Sequence, residues 1–284
     1  MVVQVRDVIT TVLAAYPAAL AEEWDTGIGL TCGDPDDVIS SVLLAVDADA
    51  ATIGEAIQAG AGLFLTHHPL LFRPVQSVGT DTAKGALIHR MIRAGVAHFA
   101  AHTNADSAVG GVNDALADVL GLTGLRPLVP HADGSATGSG RVGVLPEPVT
   151  LREFARQVAD RLPATVGGIR AAGDPDRVIR TVAVCGGAGD SFLSAAAQAG
   201  ADVYLTSDLR HHVVAEFVAD PDNPAAVDVA HWAGEWPWLA RAAALLEAAH
   251  PELAVTVSAT RTDPWTLHAA QDAPLTVREH RAVR

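Results

Sequence analysis

Histidine and carboxylate side chains occur in this sequence at spacings that suit metal binding. The set comprises two adjacent histidines and two His/carboxylate pairs separated by four residues, namely His67, His68, His102, Asp106, His231 and Glu235. Side chains four residues apart share one face of a helix. Imidazole combined with carboxylate suits zinc, manganese, iron, cobalt or nickel rather than calcium. The pattern therefore predicts a two-metal centre, in which ions about 3.5–4 Å apart lower the pKa of water.

Each part of this pattern also has a purely structural interpretation. Adjacent histidines can cap the end of a strand, and an acidic residue in a first helical turn stabilises the helix N-terminus. Metal ligation is favoured because both His/carboxylate pairs directly follow short apolar strands, near 97–101 and 227–230.

An internal repeat predicts the elements that position these side chains. Residues 41–68 and 181–208 align without gaps at an offset of 140, with 9 identities in 28 positions. Each copy has an apolar strand, a Gly/Asp turn, a helix ending at glycine and a second strand ending in Leu-Thr. Continuous apolar strands are typical of a parallel sheet covered by helices on both faces. Ligands of such sheets gather at the carboxyl ends of the strands, so the two halves should share one site.

The repeat divides the chain into two α/β halves. We predict a first half over residues 1–128, a connecting segment over 129–177 and a second half over 178–284. The connection is expected because the stretch 129–140 is rich in Gly, Ser and Ala. Helices are expected near 5–20, 83–94, 111–120, 150–162 and 235–249, and a late strand is expected near 253–258.

Other polar motifs have several interpretations. Asp208, His211 and His212 occupy the place in the second repeat that the adjacent histidines occupy in the first. They either support a ligand, contact a substrate or begin a solvated helix. The glycines of residues 24–30 do not form a dinucleotide-binding motif. The glycines of 186–190 form either an anion-binding turn or a plain tight turn.

Composition excludes several classes of function. Thirty-three acidic against 19 basic residues give a net charge of −14, which argues against general nucleic-acid binding and docking to anionic lipid. Two cysteines cannot form a disulfide framework or a Cys-rich zinc site. The apolar stretch near the N-terminus is too short and interrupted for a signal peptide or a membrane span. We therefore expect a cytoplasmic protein.

Seven blocks of the sequence resemble the NIF-three-like proteins, also called dinuclear metal centre hexameric proteins. They run in family order from about residue 20 to 240, at 23–30, 65–72, 101–106, 110–116, 185–191, 206–212 and 230–235. The double-histidine block together with the final His-x3-Glu is specific to this family. Ala230 and Ser207 stand where the family usually has glycine, which removes no ligand but adds bulk near the cavity.

The resemblance implies two interlinked α/β domains, a toroidal homohexamer and two divalent ions per subunit. By motif position, the implied metal ligands are His67, His68, Asp106, His231 and Glu235. Asp106 and Glu235 are the implied bridges, and His102 is a candidate acid/base or supporting group. His212 is a second candidate for proton transfer, with Asp208 and His211 as candidate substrate contacts. The spacer between the halves is too short for the full-size domain that longer members insert there.

Two functions of different classes follow. Many members of the family are GTP cyclohydrolase 1 type 2 homologues, which implies a metal-dependent hydrolase acting on GTP or a related small nucleotide. The alternative is a non-catalytic metal-binding hexamer that acts as a scaffold or a metal carrier. A carrier should release its metal readily, whereas a catalytic centre should retain it and keep an open coordination position.

Overall fold

Two large β-sheets, one two-stranded sheet and the helices packed against them form the described part of the fold. The computed structural model describes residues 2–132, 134 and 136–269. The strands are β1 (Val3–Gln4), β2 (Gly29–Cys32), β3 (Val38–Ile39), β4 (Ser41–Ala45), β5 (Leu63–Thr66), β6 (Ala97–Ala100), β7 (Thr123–Pro130), β8 (Gly138–Thr150), β9 (Arg170–Ala172), β10 (Val178–Ala188), β11 (Val203–Ser207), β12 (Ala225–Val229) and β13 (Ala254–Val257). The helices are α1 (Val5–Ala15), α2 (Ala50–Gln58), α3 (Ala83–Ala94), α4 (Thr103–Ser107), α5 (Val112–Val119), α6 (Leu151–Arg161), α7 (Leu193–Gln198), α8 (His211–Val218), α9 (His231–Glu235) and α10 (Pro237–Ala249).

Both sheets contain the predicted parallel unit. In the first sheet, of order β13-β4-β5-β6-β2, the strands β4, β5 and β6 are parallel. In the second, of order β7-β8-β10-β11-β12-β9, the strands β10, β11 and β12 are parallel. The repeated glycines Gly60 and Gly200 follow α2 and α7 in the left-handed conformation, with φ of +64° and +71°. The predicted repeat therefore corresponds to β4-α2-β5 and β10-α7-β11.

Helices cover both faces of each sheet, which confirms the predicted α/β class. Helices α1 and α10 pack on one face of the first sheet, and α2 and α3 pack on the other. Helices α5 and α6 cover one face of the second sheet, and α7 and α8 cover the other. The side chains of the central strands are almost fully buried, as continuous apolar runs require.

The division between the sheets differs from the predicted halves. Strand β13 comes from the C-terminal half but pairs in parallel with β4 of the first sheet. The segment 129–177, expected to be a connection, contains β8, α6 and β9, all parts of the second sheet or its helical cover. The glycines and serine at 138–140 suggested a loop, but they begin β8, a long strand paired with β7 and β10. Residues 270–284 of the predicted second half lie outside the described residues.

None of the helices in the described residues is long and apolar enough to cross a membrane.

A buried histidine on β6 should make stability depend on pH. His98 is fully buried, and its Nε2 lies 2.9 Å from Thr66 Oγ1, which donates to a backbone carbonyl. The Nε2 atom is therefore the donor to Thr66. Nδ1 is buried with no hydrogen-bond partner in the described part of the chain. Burial lowers the pKa of His98 from 6.5 to about 4, so the folded protein keeps this imidazole neutral.

We expect the free energy of unfolding to decrease as the pH falls from 6.5 to 4. In that range His98 is protonated in the unfolded chain but not in the folded one, at a cost of roughly 3 kcal/mol at the acidic end. His98→Gln retains a donor and removes this titration, so the difference in stability between the two proteins should shrink or reverse at low pH. Urea unfolding of chelator-treated protein at several pH values measures this. Parallel pH profiles for the two proteins would contradict the prediction.

Candidate metal centre

The six predicted side chains lie together where the two sheets meet. His67 and His68 directly follow β5, His102 and Asp106 lie at α4 after β6, and His231 and Glu235 lie on α9 after β12. Strands β5 and β6 belong to the first sheet, and β12 belongs to the second. The carboxyl ends of parallel strands from both sheets thus face one junction, as the repeat predicted.

Glu235 lies at the centre of the cluster and is almost fully buried. Its Oε1 lies 3.0 Å from His231 Nε2 and 3.5 Å from His67 Nε2. Its Oε2 lies 3.1 Å from His68 Nε2. Asp106 Oδ1 approaches from the other side, 3.6 Å from His67 Nε2. Two carboxylates and three imidazoles therefore present their donor atoms to one small space.

The second nitrogen of each imidazole is fixed by an acceptor outside the cluster. The Nδ1 partners are Ala101 O for His67 at 3.0 Å, Asp47 Oδ1 for His68 at 2.7 Å, Asp25 Oδ2 for His102 at 2.8 Å, and Asp208 Oδ2 for His231 at 2.7 Å. Each acceptor accepts a hydrogen bond from Nδ1–H, so Nε2 is the nitrogen that faces the cluster. Such partners orient the histidine ligands of metal sites and set their tautomers.

Three donor atoms of the cluster are buried without a hydrogen-bond partner among the described residues. They are His67 Nε2, Asp106 Oδ1 and Glu235 Oε2. A buried polar atom without a partner costs about 1–3 kcal/mol, more for a charged group, so a concentration of them needs a compensating ligand. Nitrogen and carboxylate donor atoms that converge on one space suit a cation. The residues therefore fit a divalent metal ion.

The donor atoms form two overlapping groups. Those of His67, His68 and His102 lie within 4.8 Å of one another, as do those of His68, His231 and Glu235. His68 belongs to both groups, so they describe two adjacent positions. His102, predicted as an acid/base or supporting group, thus lies within reach of one of them.

The carboxylates and imidazoles shift the pKa values of one another. Burial disfavours ionisation of Glu235, but His231 and His68 hold its pKa well below the usual range. Glu235 raises the pKa of His231 to about 11 and, against the effect of burial, that of His68 to about 10. Burial and Glu235 raise the pKa of Asp106 to about 7. Protons therefore compete with metal for these donors, and metal affinity should rise with pH.

Gly187 allows the backbone to approach the ligands closely. It lies at the irregular end of β10, with φ of +71°. A Cβ atom there would lie 2.6 Å from Glu235 Oε1 and 3.2 Å from His231 Nε2. The conformation and the contact both require glycine. The predicted turn at 186–190 thus makes room for two of the candidate ligands.

Of the remaining predicted site residues, Asp208 contacts the cluster, whereas the described contacts of His211 and His212 lie elsewhere. Asp208 has φ of +59°, and its Oδ2 accepts a hydrogen bond from His231 Nδ1, so it supports a candidate ligand. Its side chain is also exposed and lines a cavity, so its contact with a substrate stays a prediction. His211 and His212 are exposed at the start of α8, and their rings contact each other with centroids 5.1 Å apart. None of the described contacts brings either histidine to the cluster. Their exposed position agrees with one of the three interpretations of this motif, the start of a solvated helix.

Sequence reasoning missed the roles of Asp25 and Asp47. Asp25 Oδ2 accepts hydrogen bonds from His102 Nδ1 and from the backbone and hydroxyl of Thr103. Asp47 accepts from His68 Nδ1 and contacts the hydroxyl of Thr262. Asp47 follows β4 at the same sheet edge as the ligands, which was an available signal. Asp25 lies in a loop far from the repeat, and periodicity gave no indication of it.

Two cavities reach the cluster. We call the first the loop-side cavity, of about 730 Å³, which Trp24, His102 and Asp106 help to line. We call the second the C-terminal cavity, of about 880 Å³, which Thr262 and Trp265 help to line. His68 and His231 line both, so the cluster is accessible from either cavity.

Comparison with known proteins identifies the family. The family model described as Duf34/NIF3 (NGG1p interacting factor 3) matches residues 3–264. The GTP cyclohydrolase 1 type 2 homolog of Streptomyces coelicolor is 48% identical over 274 residues, which cover 94% of this chain and 95% of the relative. The Mycobacterium leprae relative of the same name is 37% identical over 376 residues, with coverages of 95% and 97%.

A solved structure agrees with these sequence relationships. The Bacillus cereus protein related to NIF3 has a TM-score of 0.84 and 26% identity, and the match covers 94% of this chain and 99% of that one. Sequence, fold and the resemblance seen in the seven blocks point to the same group. The chain belongs to the Duf34/NIF3 family.

Proposed function

We propose that the cluster binds two divalent metal ions and that the protein is a metal-dependent hydrolase of GTP or a related nucleotide. The ligands would be His67, His68, Asp106, His231 and Glu235, with Asp106 and Glu235 between the ions. The observation that carries the proposal is the convergence, at the junction of the sheets, of buried donor atoms that have no hydrogen-bond partner in the described part of the chain. Zinc, manganese, iron, cobalt and nickel all suit this donor set.

The protein groups around the cluster support hydrolysis. Divalent ions in such a centre polarise a substrate bond and lower the pKa of water. Asp25 accepts a hydrogen bond from Nδ1–H of His102. The other ring nitrogen, Nε2, can therefore accept a proton inside the loop-side cavity. Asp25 is suited to this role because the hydrogen bonds from His102 and Thr103 outweigh burial and hold its pKa well below the usual range.

GTP is the first substrate to test because the relatives are named GTP cyclohydrolase 1 type 2 homolog. The proposal also includes assembly into a toroidal homohexamer, which follows from the family resemblance. Light scattering of the purified protein would measure that assembly directly.

His102→Gln should separate proton transfer from metal binding. We expect metal-loaded wild-type protein to consume GTP, and the variant to lose roughly 10²–10⁴-fold in kcat while retaining its metal. Chromatography of the nucleotide products and elemental analysis measure the two quantities. Thr10→Val, at an exposed site on α1, provides a control that should change neither.

Two results would count against the proposal. Absence of metal-dependent turnover of GTP, other nucleotides and simple phosphoesters would overturn the hydrolase. Loss of metal in His102→Gln would instead make His102 a ligand, in agreement with its position beside His67 and His68.

Access to the cluster from two cavities favours a second candidate, a metal carrier or scaffold. Two openings would give ions a direct route into and out of the cluster, as a carrier needs. Transfer of bound metal to a chelator within minutes, combined with no hydrolytic activity, would support this alternative. Slow release together with turnover would support the hydrolase.

A further inference from the structure

Two large aromatic side chains stand exposed beside the cluster. Trp24 is 60% exposed and Phe72 is 48% exposed, and both line the loop-side cavity. Their ring centroids are 5.9 Å apart, and those of Trp24 and Phe72 lie 6.0 Å and 5.6 Å from His102. We call Trp24 and Phe72 the aromatic platform. It places apolar ring surface directly next to the candidate metal ligands.

The aromatic platform is held by the same contacts that hold the cluster. Asp25, the neighbour of Trp24, accepts hydrogen bonds from His102 and Thr103. A Cβ atom at Gly27 would lie 2.7 Å from the ring of Pro69, so the loop of Trp24 packs tightly on the segment that leads to Phe72. The backbone segments that carry the two exposed rings are thus held in position before any ligand arrives, which reduces the entropy cost of binding.

The described side chains around the aromatic platform offer a triphosphate no lysine or arginine. Among the described residues that line the loop-side cavity there is no lysine or arginine, whereas Glu22 and Glu23 add negative charge. Arg170 lines the C-terminal cavity, but it is paired with Asp228. Protein recognition of phosphate groups normally uses such cations or a helix N-terminus.

We propose that the aromatic platform binds a planar heteroaromatic ring, such as a nucleotide base, next to the metal centre, while the sugar and phosphates extend into solvent. This inference rests on the proposed function, since it assigns the part of the substrate that faces the centre. In the opposite orientation the phosphates would lie beside Glu22 and Glu23, in a cavity whose described lining has no lysine or arginine. Stacking on an aromatic side chain contributes about 1–3 kcal/mol per base.

Binding of guanosine, GMP and GTP to the metal-loaded protein tests the inference. Equilibrium dialysis should give dissociation constants that agree within about threefold for the three ligands, and inorganic phosphate should not compete. Trp24→Ala should weaken all three by roughly 5- to 150-fold, the range that corresponds to a stacking contribution of that size. Trp24→Phe should restore most of the binding. Trp265→Ala, at an exposed tryptophan of the C-terminal cavity, is the matched control and should change nothing.

The outcomes separate this inference from the proposed function. Binding of GTP more than tenfold tighter than guanosine, competition by phosphate, or no binding of any of the three would overturn the inference, even if GTP is hydrolysed. Equal binding without turnover would support the inference and overturn only the hydrolase. If Trp24→Ala changes the oligomeric mass but not guanosine binding, the aromatic platform is a contact between copies, and the inference is overturned.

Discussion

Glu235→Ala should remove both metal ions from the protein. We expect about two ions per chain in the untagged wild type, as in other dinuclear centres, and far less than one in the variant. Glu235 is the carboxylate that approaches three imidazoles, at 3.0–3.5 Å. Its removal takes a ligand and a negative charge from the space between the two groups of donors. Elemental analysis after dialysis measures the loss.

Asp47→Asn is the graded control for that result. It leaves every proposed ligand in place but replaces the carboxylate that accepts a hydrogen bond from Nδ1–H of His68. Loss of such an orienting partner typically weakens metal binding by about 10- to 100-fold. We therefore expect this variant to fill at high metal concentration and to lose metal on dialysis faster than the wild type. The order wild type, Asp47→Asn, Glu235→Ala should hold for zinc and for manganese.

Two observations would refute the metal centre. Wild-type protein that stays metal-free after incubation with zinc, manganese and iron would remove the basis of both candidate functions. Glu235→Ala protein that still binds two ions would show that the ions lie elsewhere. Unfolding of the variant is a separate outcome, which circular dichroism detects before the metal is measured.

The convergence of the candidate ligands could be predicted because they lie at strand ends. His67 and His68 follow the continuous apolar strand β5, and His231 follows the short strand β12, and such strands are visible in a sequence. Asp106 and Glu235 then follow from a fixed spacing along a short helix. Their meeting at one point needed only the parallel direction of the strands and the internal repeat.

Long-range contacts could not be predicted in the same way. Asp25 reaches His102 from a loop 77 residues away, and no pattern in either segment indicates the partner. Strand β8 begins at glycines that usually indicate a loop, and its pairing with β10 decides its conformation. The position of β13 beside β4 also depends on pairing between distant segments. Local propensity is overridden at these positions by tertiary contacts.

Arg141→Met should give the largest loss of stability of any single substitution considered. Arg141 on β8 is 2% exposed, and its Nε and Nη2 donate to Asp114 on α5 at 2.7 and 3.2 Å. Its Nη1 also donates to the carbonyls of Gly138 and Gly140. Removal of one partner of a buried ion pair costs about 3–5 kcal/mol, because the other charge stays buried without compensation. We expect the melting temperature to fall by roughly 5–10 °C.

Two further variants identify the cause of that loss. Arg141→Met combined with Asp114→Leu removes both charges, and it should recover much of the stability because an apolar pair often replaces a buried ion pair at little cost. Arg6→Met removes an ion pair with Asp36 in which both side chains are at least half exposed, and it should have no measurable effect. Calorimetry under one metal condition compares all four proteins.

The result bears on how the two sheets are held together at the candidate metal centre. Arg141 belongs to the second sheet, whereas its partner Asp114 and the carbonyl of Ala108 lie in the segment that follows the candidate ligand Asp106. Loss of the pair should therefore loosen the junction on which ligands from both sheets converge. We expect Arg141→Met to bind metal more weakly even below its melting temperature, and the double variant to regain metal in parallel with stability. Full metal content in a destabilised Arg141→Met protein would show that the junction is held by other contacts.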